Sequence, residues 1–173
     1  MTTLKGRNLL LAAILSLFLG PLGFLYVGWT FMVSGLIITA IFALVLSIIN
    51  LPTPSLFEYL QLVIFSYHAY KLATIRNLVA NDPMTTMEDI KQFKSFGFSV
   101  IAMTSVLMTL AQYYSLVVGF YMAYISFANG KILIGVLIVI FGISAIMWVL
   151  TSIFGFISSV LMVIFKVDDA YFN

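Results

Sequence analysis

Glu58, Gln61, His68 and Lys71 are the residues of this chain whose types and spacing could do chemistry together. All four fall in a stretch, Leu56 to Asn77, that is otherwise rich in Leu, Phe, Tyr and Ile. At about 100° per residue, a helix would place them in one sector roughly 140° wide, forming a polar stripe. Ionisable groups in an apolar segment are costly, which makes the stripe a candidate proton or ion route. Glu58 and His68 would exchange protons along it, imidazole being the group that titrates near neutrality. A packing role asks less of the same residues. Glu58 sits one turn from the helix start, where a carboxylate favours the helix dipole, and Lys71 can snorkel from the other end. Gln61 and His68 then need only interhelical hydrogen bonds.

Other chemistry finds few carriers. The sequence has no Walker phosphate loop, Gly-x-Ser-x-Gly elbow, His-Glu-x-x-His motif or dinucleotide fingerprint, so no enzymatic activity is expected. One histidine and no cysteine rule out multi-histidine and thiolate metal sites, and Asp168 with Asp169 reads as a solvated pair. Tyr113, Tyr114, Tyr121 and Tyr124 read as interfacial or helix-contact tyrosines, and no cofactor is expected. Gly135, Gly142 and Gly155 offer small surfaces for close helix packing.

The elements that must position these residues are apolar and long. Leu9 to Asn50, Leu56 to Ala73 and Phe96 to Phe165 take up most of the 173 residues, and the last carries a single formal charge, Lys131. About 20 apolar residues suffice to cross a bilayer core. Only 8% of residues are charged, against roughly a quarter in a soluble domain, so the fold class is an all-α, polytopic integral membrane protein. Its surroundings are the lipid bilayer. A net charge of +2 from scattered residues argues against a nucleic-acid partner.

Three segments follow. Residues 1–50 form an N-terminal pair of membrane helices, near Leu9 to Val27 and Phe31 to Ile49. Lys5 and Arg7 ahead of Leu9 resemble a signal sequence, but no small-x-small cleavage site follows, so this first helix is expected to be retained. Residues 51–95 hold the third helix, starting near Ser55 after Pro52 and Pro54, and then a polar segment. Thr85 to Glu88 reads as a capping box opening a short helix, with Met87, Ile90 and Phe93 on one face. Residues 96–173 divide at Asn129-Gly130-Lys131 into two arms, giving five membrane helices that end in a long antiparallel hairpin. Each arm would be about 50 Å long, against a core of about 30 Å, with kinks expected near Gly119, Gly142 and Gly155. An alternative splits the stretch into three spans, with Tyr113 and Tyr114 at an interface.

With five spans, placing the Ile75 to Ser95 segment inside collects Lys71, Arg76, Lys91, Lys94 and Lys166 there and leaves Lys5, Arg7 and Lys131 outside. That puts the C-terminus in the cytoplasm. The absence of glycosylation sequons and of an organelle signal fits a bacterial inner membrane.

The run Gly20-Pro21-Leu22-Gly23-Phe24-Leu25-Tyr26-Val27-Gly28-Trp29 resembles the two-transmembrane-helix domain family over residues 9–49, with Gly20, Gly23, Tyr26 and Gly28 as the matching positions. The resemblance implies a membrane hairpin with a glycine-rich aromatic turn and no activity of its own. The expected function is a non-enzymatic membrane subunit or scaffold that packs against other membrane-protein subunits or a second copy of itself. The alternative is a small proton or ion transporter or channel component using the stripe.

Overall fold

In the computed structural model, residues 4–164 are described, and they are helical with no strand among them. Lys166, Asp168 and Asp169 lie outside the described residues. Helix α1 (Leu9–Leu19) is capped by Asn8, whose side chain accepts from the Leu11 amide at 3.1 Å. It ends at Gly20, where φ of 56° and ψ of −131° suit a residue without a side chain. A 3₁₀ helix (Gly20–Tyr26) with Pro21 in its first turn then runs back along α1.

The close approach of these two pieces depends on Gly23. A Cβ at that position would lie 2.4 Å from Cα of Ser16. At the far end the Asn8 amide donates to Tyr26 Oη at 3.2 Å, and the Arg7 guanidinium lies 5.0 Å above the Tyr26 ring. Leu9 and Tyr26 therefore stand at the same level. The expected first span has the length and apolarity of a crossing, but its path reverses at Gly20. Helix α1 alone rises about 16 Å, roughly half a bilayer core.

Helix α2 (Trp29–Ile49) leads away from this end and is closed by Asn50 in the left-handed conformation. After Pro52 and Pro54, α3 (Ser55–Asn81) returns beside α1. Asn77 brackets Arg7, accepting from its amide at 2.6 Å and donating to its carbonyl at 2.8 Å. Arg76 donates from Nε to the Lys5 carbonyl at 3.0 Å and from a terminal nitrogen to the Val27 carbonyl. One guanidinium thus ties both ends of the folded-back segment to α3. The tip at Gly20 faces Leu62 and Phe65, about a third of the way along α3 from its start.

Helix α4 (Met87–Phe93) begins one residue later than the sequence pattern suggested. Thr86, not Thr85, is the cap, and Asp89, not Glu88, reaches back to the Thr86 amide at 2.8 Å. The cause is the preceding turn, in which the Met84 amide donates to the Asp82 carboxylate and the Thr85 amide to the Asp82 carbonyl. Thr85 is thereby held in the turn. Phe93 buries the apolar face of α4 against Phe31 and Phe98, at centroid distances of 5.3 and 5.5 Å.

Helix α5 (Phe96–Ala128) passes unbroken through Tyr113 and Tyr114. After a turn with Gly130 at φ 71°, α6 (Ile132–Leu137), a π-helical turn (Ile138–Gly142) and α7 (Ile143–Ile164) run back along α5. Gly119 admits Ile143, and Gly135 meets the Phe127 ring. The centre of the core is aromatic. Phe42 of α2 stacks on Phe154 of α7 at 5.3 Å, and Phe57 of α3 meets Tyr114 of α5 edge-on at 5.0 Å. Contacts of this kind add about 0.5–1.5 kcal/mol each beyond burial and lock four helices at one level.

By length and composition, Leu9–Tyr26, Trp29–Ile49, Phe96–Ala128 and Ile132–Ile164 could each cross a membrane. Their outward faces carry large apolar side chains, among them Phe18, Ile48, Leu133, Trp148 and Val163. Such a surface identifies a membrane protein.

Candidate functional site

The stripe on α3 is divided by its neighbours. Glu58 and Gln61 line a cavity of about 290 Å³ between α2 and α3, with Phe42, Ser47 and Asn50 opposite. His68 and Lys71 line a separate groove of about 880 Å³ between α3, α5 and α7. Glu58 and His68 are ten residues apart on one helix, about 15 Å along its axis, too far for direct proton exchange. The four residues thus form two pairs in two spaces.

His68 is buried, and its Nε2 lies 3.2 Å from Thr109 Oγ1 on α5. Thr109 has one hydroxyl proton, and it donates that to the Ser105 carbonyl at 2.8 Å. The imidazole must therefore be the donor in the contact with Thr109, which fixes neutral His68 as the Nε2–H tautomer. The bond joins α3 to α5 and satisfies a buried polar group. Tyr67 meets the imidazole edge-on at 5.4 Å, and the Lys71 ammonium lies 4.8 Å above the Tyr67 ring. This second contact is a cation–π interaction on an exposed side chain.

The residues of the glycine-rich turn meet different demands. Gly20 supplies the reversal, Gly23 the close approach to Ser16, and Tyr26 the contact with Asn8 and Arg7. Gly28 packs near Phe31, 3.2 Å from the position a Cβ would take. Of the three glycines expected to mediate packing, Gly135 abuts Phe127 of α5. Gly142 faces Ile138 of its own helical run, and the Cβ position of Gly155 is open space.

Sequence reasoning did not foresee the clamp made by Arg76 and Asn77, because both lie at the polar end of α3 and bond to backbone atoms some seventy residues away. It also missed Thr109 as the partner of His68, since a threonine inside an apolar helix carries no distinguishing signal. Tyr114 was singled out only with the other tyrosines. Its Oη donates to the Pro52 carbonyl at 2.7 Å, pinning the α2–α3 turn to the middle of α5.

Compared with protein-family models, curated proteins and solved structures, the chain gives no significant match.

Proposed function

We propose that this chain is a non-enzymatic integral membrane subunit that packs against partner membrane proteins, or a second copy of itself, in a bacterial cytoplasmic membrane. The observation that carries the reading is the excess length of α5 and of the α6–α7 run. Helix α2, with 21 residues and about 32 Å, already matches a bilayer core. The Tyr114 bond to Pro52 marks the level at which α2 gives way to α3, and α5 continues beyond it from Ser115 to Ala128, about 21 Å further. Around this extension Ile132, Leu133 and Phe141 are exposed. In the most apolar window of Ile132–Ile164 only 11% of residues are buried within the chain, against 56% for α5, so the free faces belong to α6 and α7. A bilayer matched to α2 leaves this apolar tip uncovered, and a neighbouring protein would cover it.

The folded-back first segment supports a topology of four passages, α2, α3, α5 and α6–α7, with α1 entering and leaving from one side. Lys5, Arg7, Arg76, Lys91 and Lys94 then share one end with α4, and Lys131 lies at the other. The positive-inside rule makes the α4 end cytoplasmic.

The test is affinity purification of the tagged chain from its native membrane in mild detergent, with photo-crosslinkers at Leu133 and Phe141. A stoichiometric protein crosslinked at both positions is the expected result. A monodisperse monomer with lipid adducts alone would remove the basis of the proposal.

A further inference from the structure

The groove between α3, α5 and α7 is apolar along most of its length, and most of the hydroxyl protons on its α5 wall are already spent. Thr104, Ser105 and Thr109 each donate to a carbonyl of their own helix, at 2.6, 2.6 and 2.8 Å. The Nε2–H of His68 is directed to Thr109. Two of the donors left on the groove wall matter here. One is the Lys71 ammonium, held at the Tyr67 ring. The other is Ser158 of α7, 6% exposed, whose Oγ has no hydrogen-bond partner among the described residues. A buried hydroxyl left without a partner is uncommon and asks for one. A cation and a free hydroxyl over an apolar channel complement an anionic head joined to a hydrocarbon chain.

From the charge of these donors and the shape of the channel we infer that the groove binds one anionic phospholipid, its phosphate at Lys71 and Ser158 and an acyl chain along α5. The α5 wall runs from Phe98 to Thr109, about 16 Å, and lines both the headgroup end of the groove and the start of the acyl path. Lys71 lies five residues before Arg76, about 8 Å deeper than the polar end of α3, within the reach over which a lysine snorkels to the headgroups. On the topology above this is the cytoplasmic leaflet, where anionic lipids concentrate. Gly155 helps make the channel, because its missing side chain leaves open space in the α7 wall.

The inference rests on the membrane reading and is independent of any protein partner. It is tested by native mass spectrometry of the full chain in mild detergent, with phosphatidylglycerol or phosphatidylcholine of identical acyl chains added. The wild type is expected to retain one phosphatidylglycerol, with a preference over phosphatidylcholine of about five- to tenfold. Gly155→Leu should fill the channel and abolish retention of both lipids with a melting temperature no lower than that of the wild type. Lys71→Gln should keep retention and lose the preference. Equal retention of the two lipids by wild type, or retention unaffected by Gly155→Leu, overturns the inference. Carbonate extraction of the same protein from vesicles separates the two levels. A chain that resists extraction but shows no preference defeats the lipid site alone, and a chain that is extracted defeats the membrane reading with it.

Discussion

Replacing Gly23 with alanine attacks the folded-back segment at the point where it has least room. The added Cβ would lie 2.4 Å from both Cα and N of Ser16 and 2.5 Å from its Oγ. Carbon contacts settle at about 3.5–4.0 Å, so more than about 1 Å of separation must be found. The obstructing atoms are mainly backbone and cannot rotate away as a side chain would. Overpacking typically costs about 1–3 kcal/mol, and a rigid obstacle puts Gly23→Ala near 3 kcal/mol. Gly155→Ala is the control, since nothing lies within 4 Å of its Cβ position. There alanine should gain roughly 0.5–1 kcal/mol through helix propensity. At about 2–4 °C per kcal/mol for a chain of this size, the melting temperature should fall by about 6–12 °C in the first variant and rise by about 1–4 °C in the second. A thermal ramp in mild detergent, followed through Trp29 and Trp148, reads both. The packing argument fails if Gly23→Ala melts within about 1 °C of wild type, or if Gly155→Ala falls as far as it does.

Tyr114→Phe removes the bond to the Pro52 carbonyl and should cost about 1 kcal/mol, with faster amide exchange at Leu51 and Thr53; unchanged exchange would show that the bond does not hold the turn. Thr109→Val leaves the buried Nε2–H of His68 without its acceptor and should destabilise by about 1–3 kcal/mol, whereas adding His68→Phe should recover much of the loss; an additive double mutant would refute the pairing. The Thr86 hydroxyl and amide hold the Asp89 carboxylate below its usual range. A depressed folded-state pKa contributes stability above the unfolded value of about 4 and loses it as pH falls through the folded one. Exchange at the Ile90 amide should therefore show extra opening of α4 below about pH 4 in wild type but not in Asp89→Asn, and matching profiles would remove the carboxylate from the cap.

Class and most helix positions were legible because long apolar runs have few soluble uses and because turn chemistry is local. The breaks at Asn129-Gly130-Lys131 and at Pro52 and Pro54 fall where proline, glycine and asparagine put them. The path of the first segment was not legible. Gly20 and Pro21 signal a break, but whether the chain goes on or doubles back depends on Gly23 meeting Ser16 and on Arg76 reaching Lys5 and Val27. The stripe on α3 was legible as a periodicity, but its division between two spaces was not. Helical spacing places four residues on one sector, yet the neighbouring helices decide that Glu58 and Gln61 face one space and His68 and Lys71 another. The one-residue shift of the α4 cap has the same origin, since Thr85 satisfied the motif but was already used by the Asp82 turn.

The π-helical turn at Ile138–Gly142 sets the phase of everything beyond it. Gly135 and Ile143 both face α5, although eight residues of regular α-helix would set them about 80° apart. Closing the turn through the Ile143 amide to the Ile138 carbonyl absorbs one residue, and the remaining seven bring the two positions back within about 20°. The turn is in effect a single-residue insertion carried by an otherwise regular helix. Deleting one residue from Ile138–Phe141 should yield an unbroken α-helix that keeps both contacts with α5, while the same deletion in α7 would rotate the tip of the arm away from its partner helix.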